Sequence, residues 1–86
     1  MTGTLPVRVM VTDAWDTVSL DVAPSTPLGD LKREALRRTR VRGDPEAYVL
    51  KFRGAELEDE TRSLKEAGLP AHASLIVLPR RRRPVR

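Results

Sequence analysis

The sequence predicts an α+β domain: a mixed sheet of four to five strands packed on one main helix, with a short 3-10 turn. Three observations carry this. Apolar residues alternate near both ends and in the middle of the chain, one stretch between them recurs at three- and four-residue spacing, and Gly43, Asp44 and Pro45 break the chain after it. A helix with one apolar stripe and strands with one apolar side each can bury those surfaces against one another.

The elements follow in order. In "VRVMV", Val7, Val9 and Val11 fall on one side and Arg8 and Met10 on the other. "VSLDV" repeats the pattern through Val18, Leu20 and Val22, and "TDAWDT" between them is short enough to close an antiparallel hairpin. "PSTPLGDLKREALRRTR" then changes period, with Leu28, Leu31, Ala35 and Leu36 marking a helix. Ser25 or Thr26 is expected to cap it and Pro27 to take its first position, with Asp30 early and Arg37, Arg38 and Arg40 late as the macrodipole favours. In "YVLKFRG", Tyr48, Leu50 and Phe52 oppose Val49, Lys51 and Arg53, and Gly54 and Ala55 turn the chain. One or two strand residues are expected around Leu57, then an acidic corner, a short helical turn at residues 63–67, and Gly68 at a left-handed cap. "SLIVL" closes the sheet, with Leu75 and Val77 inward and Ile76 and Leu78 outward.

Composition narrows the function classes. At 86 residues the chain is one domain, and such a domain buries roughly 60–65% of the surface its unfolded chain exposes. With Trp15, Tyr48 and Phe52 the only aromatics, the core has to be largely aliphatic. The absence of cysteine excludes disulfides, thiolate metal sites and thiol nucleophiles. No stretch approaches the ~20 apolar residues of a membrane span, and the first residues do not read as a targeting segment, so a soluble, cytoplasmic protein is expected. The net charge of +4 is local: Arg80, Arg81, Arg82, Arg83 and Arg86 supply five positive charges, leaving residues 1–79 at −1. We therefore divide the chain into a domain at residues 1–79 and a basic, disordered tail at 80–86.

"VSLDVAPSTPLGDLKREAL" and "LKFRGAELEDETRSLKEAGLPAHASLIVLPR" resemble ubiquitin: a second strand, Pro-Ser turn and helix, then a third strand, Gly-containing turn, Leu-Glu-Asp corner and final strand. The likeness covers about residues 5–80, with "FRG…LEDETRSL" its most specific part. It implies a β-grasp fold, while function has to come from sites. Three departures matter. Modifiers of that family are joined through a terminal Gly-Gly, whereas Arg83 and Pro84 hold those places and the last glycine is Gly68, so attachment by that chemistry is not expected. The family's apolar recognition patch keeps apolar material, with Ile76 and Leu78 in place of a histidine and a valine and Ala14 or Trp15 near the hairpin leucine. Its central isoleucine is replaced by Lys51. A docked partner would bury that ammonium, which favours a partner carrying a carboxylate. Finally, Ala55 and Ala71 stand where the best-known chain-building lysines would be, leaving Lys32, Lys51 and Lys65.

The candidate partner-binding residues are Arg8, Met10, Trp15, Val49, Lys51, Arg53, Ile76 and Leu78, an outer sheet face whose apolar centre binds and whose cations select acidic groups. The plainer alternative is an ordinary surface, much of which is apolar in any protein. Trp15 could anchor a partner, but the preferred reading folds it back over the sheet edge. Arg80 to Arg83 and Arg86 could hold phosphates or an acidic protein or membrane surface; a solvated end is the reading weighted most. Nothing aromatic is interleaved for base stacking. His72, the sole histidine, has no nucleophile beside it, and Glu56, Glu58, Asp59 and Glu60 sit on an exposed corner, so no enzyme, metal or cofactor is expected. The expectation is a monomeric, non-conjugated ubiquitin-like protein-protein interaction module docking through its outer sheet face. Its alternatives are nucleic-acid or acidic-surface binding through the tail, and a bacterial secretion-system component of ubiquitin-like type.

Overall fold

The computed structural model describes residues 3–80. Its strands are β1 (Leu5–Val11), β2 (Asp16–Val22), β3 (Tyr48–Phe52), β4 (Ala55–Glu56) and β5 (Ala73–Pro79), with one α-helix, α1 (Leu28–Arg38), and a 3-10 helix at Pro45–Ala47. The five strands form one mixed sheet in the order β2-β1-β5-β3-β4. β1 and β5 run parallel at its centre, and the other neighbours are antiparallel. Parallel strands need a crossover, and α1 lies within the long connection between them. This is the β-grasp arrangement expected from the sequence.

The core lies between sheet and helix. Val7, Val9 and Val11 of β1, Leu50 of β3, and Ala73, Leu75 and Val77 of β5 meet Leu28, Leu31, Ala35 and Leu36 of α1, with Leu64 and Leu69 closing the open side. Tyr48 is its one buried aromatic; Phe52 packs at the rim. Each fully buried leucine contributes about 2 kcal/mol relative to exposure, which suits a small aliphatic core.

Three local expectations are corrected. The N-cap of α1 is Pro27, and no side chain caps it. Instead the Leu28 amide donates to the Arg62 carbonyl at 2.8 Å and the Gly29 amide to the Glu60 carbonyl at 2.9 Å. Backbone from the acidic corner thus satisfies donors that Ser25 and Thr26 were expected to serve. Gly29 makes room for this, since a Cβ there would lie 3.3 Å from the Glu60 Cβ. The 3-10 helix falls at Pro45–Ala47, where the Asp44 side chain accepts from the Glu46 amide at 3.0 Å; the helical turn expected at 63–67 is present as a hydrogen-bonded turn, the Ala67 amide donating to the Ser63 carbonyl at 3.0 Å, but is not a 3-10 helix. That turn ends as expected at Gly68, with φ +77°. The strand expected around Leu57 sits one residue earlier, at β4.

The largest unforeseen feature is Lys32. It lies on the apolar stripe of α1, 1% exposed, and its Nζ donates to the Tyr48 carbonyl at 3.0 Å and to Glu60 Oε2 at 2.7 Å. The ammonium is buried, whereas the Glu60 side chain keeps 22% of its exposure. Removing Glu60 therefore strands a charge that cannot rehydrate, while removing Lys32 leaves a carboxylate that water can reach. In urea unfolding, Glu60→Gln is expected to cost about 3 kcal/mol. Lys32→Met should cost less, about 1–2 kcal/mol, chiefly from the orphaned Tyr48 carbonyl. The reverse order would show that burial of the ammonium is not what the pair relieves.

Candidate docking face

Because Val7, Val9, Leu75, Val77 and Leu50 point into the core, strand alternation sends Arg8, Met10, Ser74, Ile76, Leu78, Val49 and Lys51 to the opposite side of the sheet. Strand register then sets them in rows. One row crosses the whole sheet: Thr17 pairs with Met10, Met10 with Ile76, Ile76 with Lys51, and Lys51 with Glu56. Arg8 sits between Ser19 and Ser74, and Leu78 faces Val49. Ile76 is 42% exposed, while Met10, Lys51 and Leu78 are half-buried. An open groove of about 940 Å³ runs along one side, lined by Thr12, Val49, Lys51, Glu56, Leu78, Pro79 and Arg80.

Not every candidate residue presents itself as expected. Val49 is only 6% exposed, so it forms the floor of the groove and not a free contact. Arg53 leaves the face altogether: it lies past the end of β3 with φ +54°, which breaks the alternation, and its guanidinium stands 5.1 Å over the Phe52 ring. Trp15 does not fold back over the sheet edge. It ends the hairpin loop with φ +53°, its amide donates to the Thr12 carbonyl at 3.1 Å, and it remains 78% exposed. Arg81, Arg82, Arg83 and Arg86 lie outside the described residues. Arg80 was assigned to the tail, yet its amide donates to the Ala47 carbonyl at 2.7 Å and its Nε to the Glu46 carbonyl at 3.3 Å.

The hairpin loop beside the face is tied down. Tyr48 Oη donates to Asp13 Oδ2 at 2.6 Å, a bond joining the loop to the start of β3. That bond raises the Tyr48 pKa above its ordinary value, with burial adding to the effect. Elsewhere, Asp59 is held below the usual carboxylate range by hydrogen bonds from the Thr61 hydroxyl and amide. His72 is exposed in a turn with φ +63°. Among the described residues no group of acidic or histidine side chains is spaced to hold a metal, and no helix is long and apolar enough to cross a membrane. Sequence reading missed the Tyr48–Asp13 bond, which has no local signal because 35 residues separate the partners.

No protein-family model matches the chain, and no curated protein sequence matches it either. Solved structures do match. A ubiquitin from Caldiarchaeum subterraneum superposes with a TM-score of 0.77 at 18% identity, over 95% of this chain and 100% of that one. A designed protein based on ubiquitin gives 0.77 at 25% identity, covering 98% of each chain. The ubiquitin-like domain of an Arabidopsis thaliana protein gives 0.74 at 18% identity, over 98% of this chain and 85% of that one. The chain has the ubiquitin-like β-grasp fold.

Since Tyr48 holds its proton more tightly when folded, its bond contributes fully below the unfolded value near pH 10. The contribution is lost as pH rises through the higher folded value. Measured by thermal melting across pH 8–12, the stability of the unmodified protein is expected to fall more steeply above about pH 10 than that of Tyr48→Phe. Parallel curves would remove the bond from the account.

Proposed function

We propose that this ubiquitin-like module works by reversible, non-covalent docking of a protein partner on its outer sheet face. One observation carries the reading: register sets Met10 beside Ile76 and Ile76 beside Lys51, with Leu78 two residues further along β5, and the strands that hold the three apolar side chains, β1 and β5, each pair with a neighbour on both sides. Apolar side chains presented from strands hydrogen-bonded on both sides cost a partner little backbone ordering. The charge beside Ile76 then sets the choice of partner. A purely apolar insertion would desolvate Lys51 for nothing, whereas an acidic group would pair with it.

Trp15 extends the face at the hairpin tip. The Tyr48 bond anchors its loop at Asp13, two residues away, and the tryptophan, 78% exposed, offers a large contact area. The reading assigns the arginine tail a secondary role, adding long-range attraction for acidic partners that weakens with salt.

Three forms of the protein test this in partner capture from native extracts: the full chain, the Ile76→Asp Leu78→Asp double variant, and a chain ending at Arg80. The cut follows Arg80 because its amide belongs to the fold. Proteins retained by the full chain should be retained at least about ten-fold less well by the double variant, with its far-ultraviolet spectrum unchanged, and within about three-fold by the shortened chain. If nucleic acid alone is retained, and loss of residues 81–86 abolishes it, the tail is the binding element and the face reading fails.

A further inference from the structure

One end of the groove brings three charges together. Lys51 of β3 pairs in register with Glu56 of β4, which puts both side chains on the outer side of the sheet. The Arg80 guanidinium lies 3.8 Å from Glu56 Oε2, with Arg80 50% and Glu56 35% exposed. Among the described residues, the Lys51 ammonium makes no ion pair within 4 Å. Within 4 Å, Glu56 meets only Arg80, in a solvated pair of the kind that adds little stability, while Lys51 stands beside Glu56 in register and lines the same groove. The same groove is also lined by Val49, buried to 6% exposure, by Leu78 and Pro79, and by Thr12.

We propose that Lys51 and Arg80 form a carboxylate subsite for a partner segment whose neighbouring apolar side chain lies over Val49 and Leu78, and that Glu56 is a built-in competitor occupying this subsite in the free protein. The inference rests on the docking reading above and specifies where the partner's acid goes. Charge complementarity sets the occupant: two cations beside an apolar floor fit an acidic residue within an apolar peptide. Binding exchanges one carboxylate for another, so the cost of burying Lys51 is met by the partner's acid, while Glu56 is displaced into solvent. The competitor also discriminates, because a partner lacking an acid leaves Glu56 in place and meets its charge.

The consequence is unusual for a charged residue in a binding groove: neutralising Glu56 should improve binding. The isotope-labelled full chain is titrated at about 0.1 M salt with two end-blocked peptides, Leu-Glu-Leu and Leu-Gln-Leu, following backbone amide shifts by NMR. Shifts are expected at Lys51, Leu78 and Arg80, with the Glu peptide binding about five-fold more tightly than the Gln peptide. Glu56→Gln should tighten the Glu peptide by up to about five-fold, and Lys51→Gln should erase the preference between the peptides. Equal binding of both peptides on the face overturns the subsite while leaving the docking reading intact, and weaker binding by Glu56→Gln overturns the competitor. Absence of any shift on the face overturns both readings. A thymidine octamer that moves the Lys51 and Arg80 amides at lower concentration than the Glu peptide assigns the pair to phosphate and also overturns the proposal.

Discussion

A single buried ammonium holds the parts of this fold in register. Lys32 reaches from α1 to the Tyr48 carbonyl, where β3 begins, and to the Glu60 carboxylate on the acidic corner. Glu60 contributes twice, because its backbone carbonyl also accepts from the Gly29 amide in the first turn of α1. Helix, third strand and corner are thereby fixed to one another by polar contacts within a largely aliphatic core. Such contacts are directional, unlike the burial of leucines and valines, and leaving the ammonium unpaired at that depth would cost about 3 kcal/mol. The core supplies most of the stability; the pair restricts which arrangement of the pieces is tolerated.

That restriction reaches the proposed docking face. β3 is only five residues long, and a slip of one would send Val49 and Lys51 inward and Leu50 out. Bonding of the Tyr48 carbonyl to Lys32 and of the Tyr48 hydroxyl to Asp13 pins the strand at its start. Lys51 then falls beside Ile76 on one neighbour and Glu56 on the other. Lys51 thus stands at the edge of the Met10–Ile76 apolar pair on the outer side of the sheet, with Glu56 as its other neighbour. Arg80 adds the second cation at the point where the chain leaves the sheet.

The strands and the helix were legible because their periods come from the chain's own geometry: alternation for β1, β2, β3 and β5, and three- and four-residue spacing for α1. What escaped the sequence depends on partners distant along the chain. Caps from Ser25 or Thr26 are the local solution for a helix start, but here carbonyls of Glu60 and Arg62 arrive first. Lys32 did leave a trace, four residues after Leu28 and on the same stripe, which invites the question of which acid meets it. Asp44 and Pro45 read as a break when they also start a 3-10 helix. On the face, alternation placed Met10, Val49, Lys51, Ile76 and Leu78 on the correct side but carries no information on depth, so the burial of Val49 was invisible. Alternation also failed at Arg53, where a left-handed residue ends it, and it says nothing of Trp15, whose exposure follows from the loop's path.

In the proposed mode of docking, recognition belongs to the sheet, and the arginines beyond Arg80 have a supporting part. Hydrogen–deuterium exchange of the full chain, free and bound to the protein partner it retains most strongly, tests this directly. The account requires slowed exchange in segments of β3 and β5 around Lys51, Ile76 and Leu78 and in the hairpin loop through Trp15, with α1 unchanged. Slowing confined to residues beyond Arg80, or centred on α1, would contradict it.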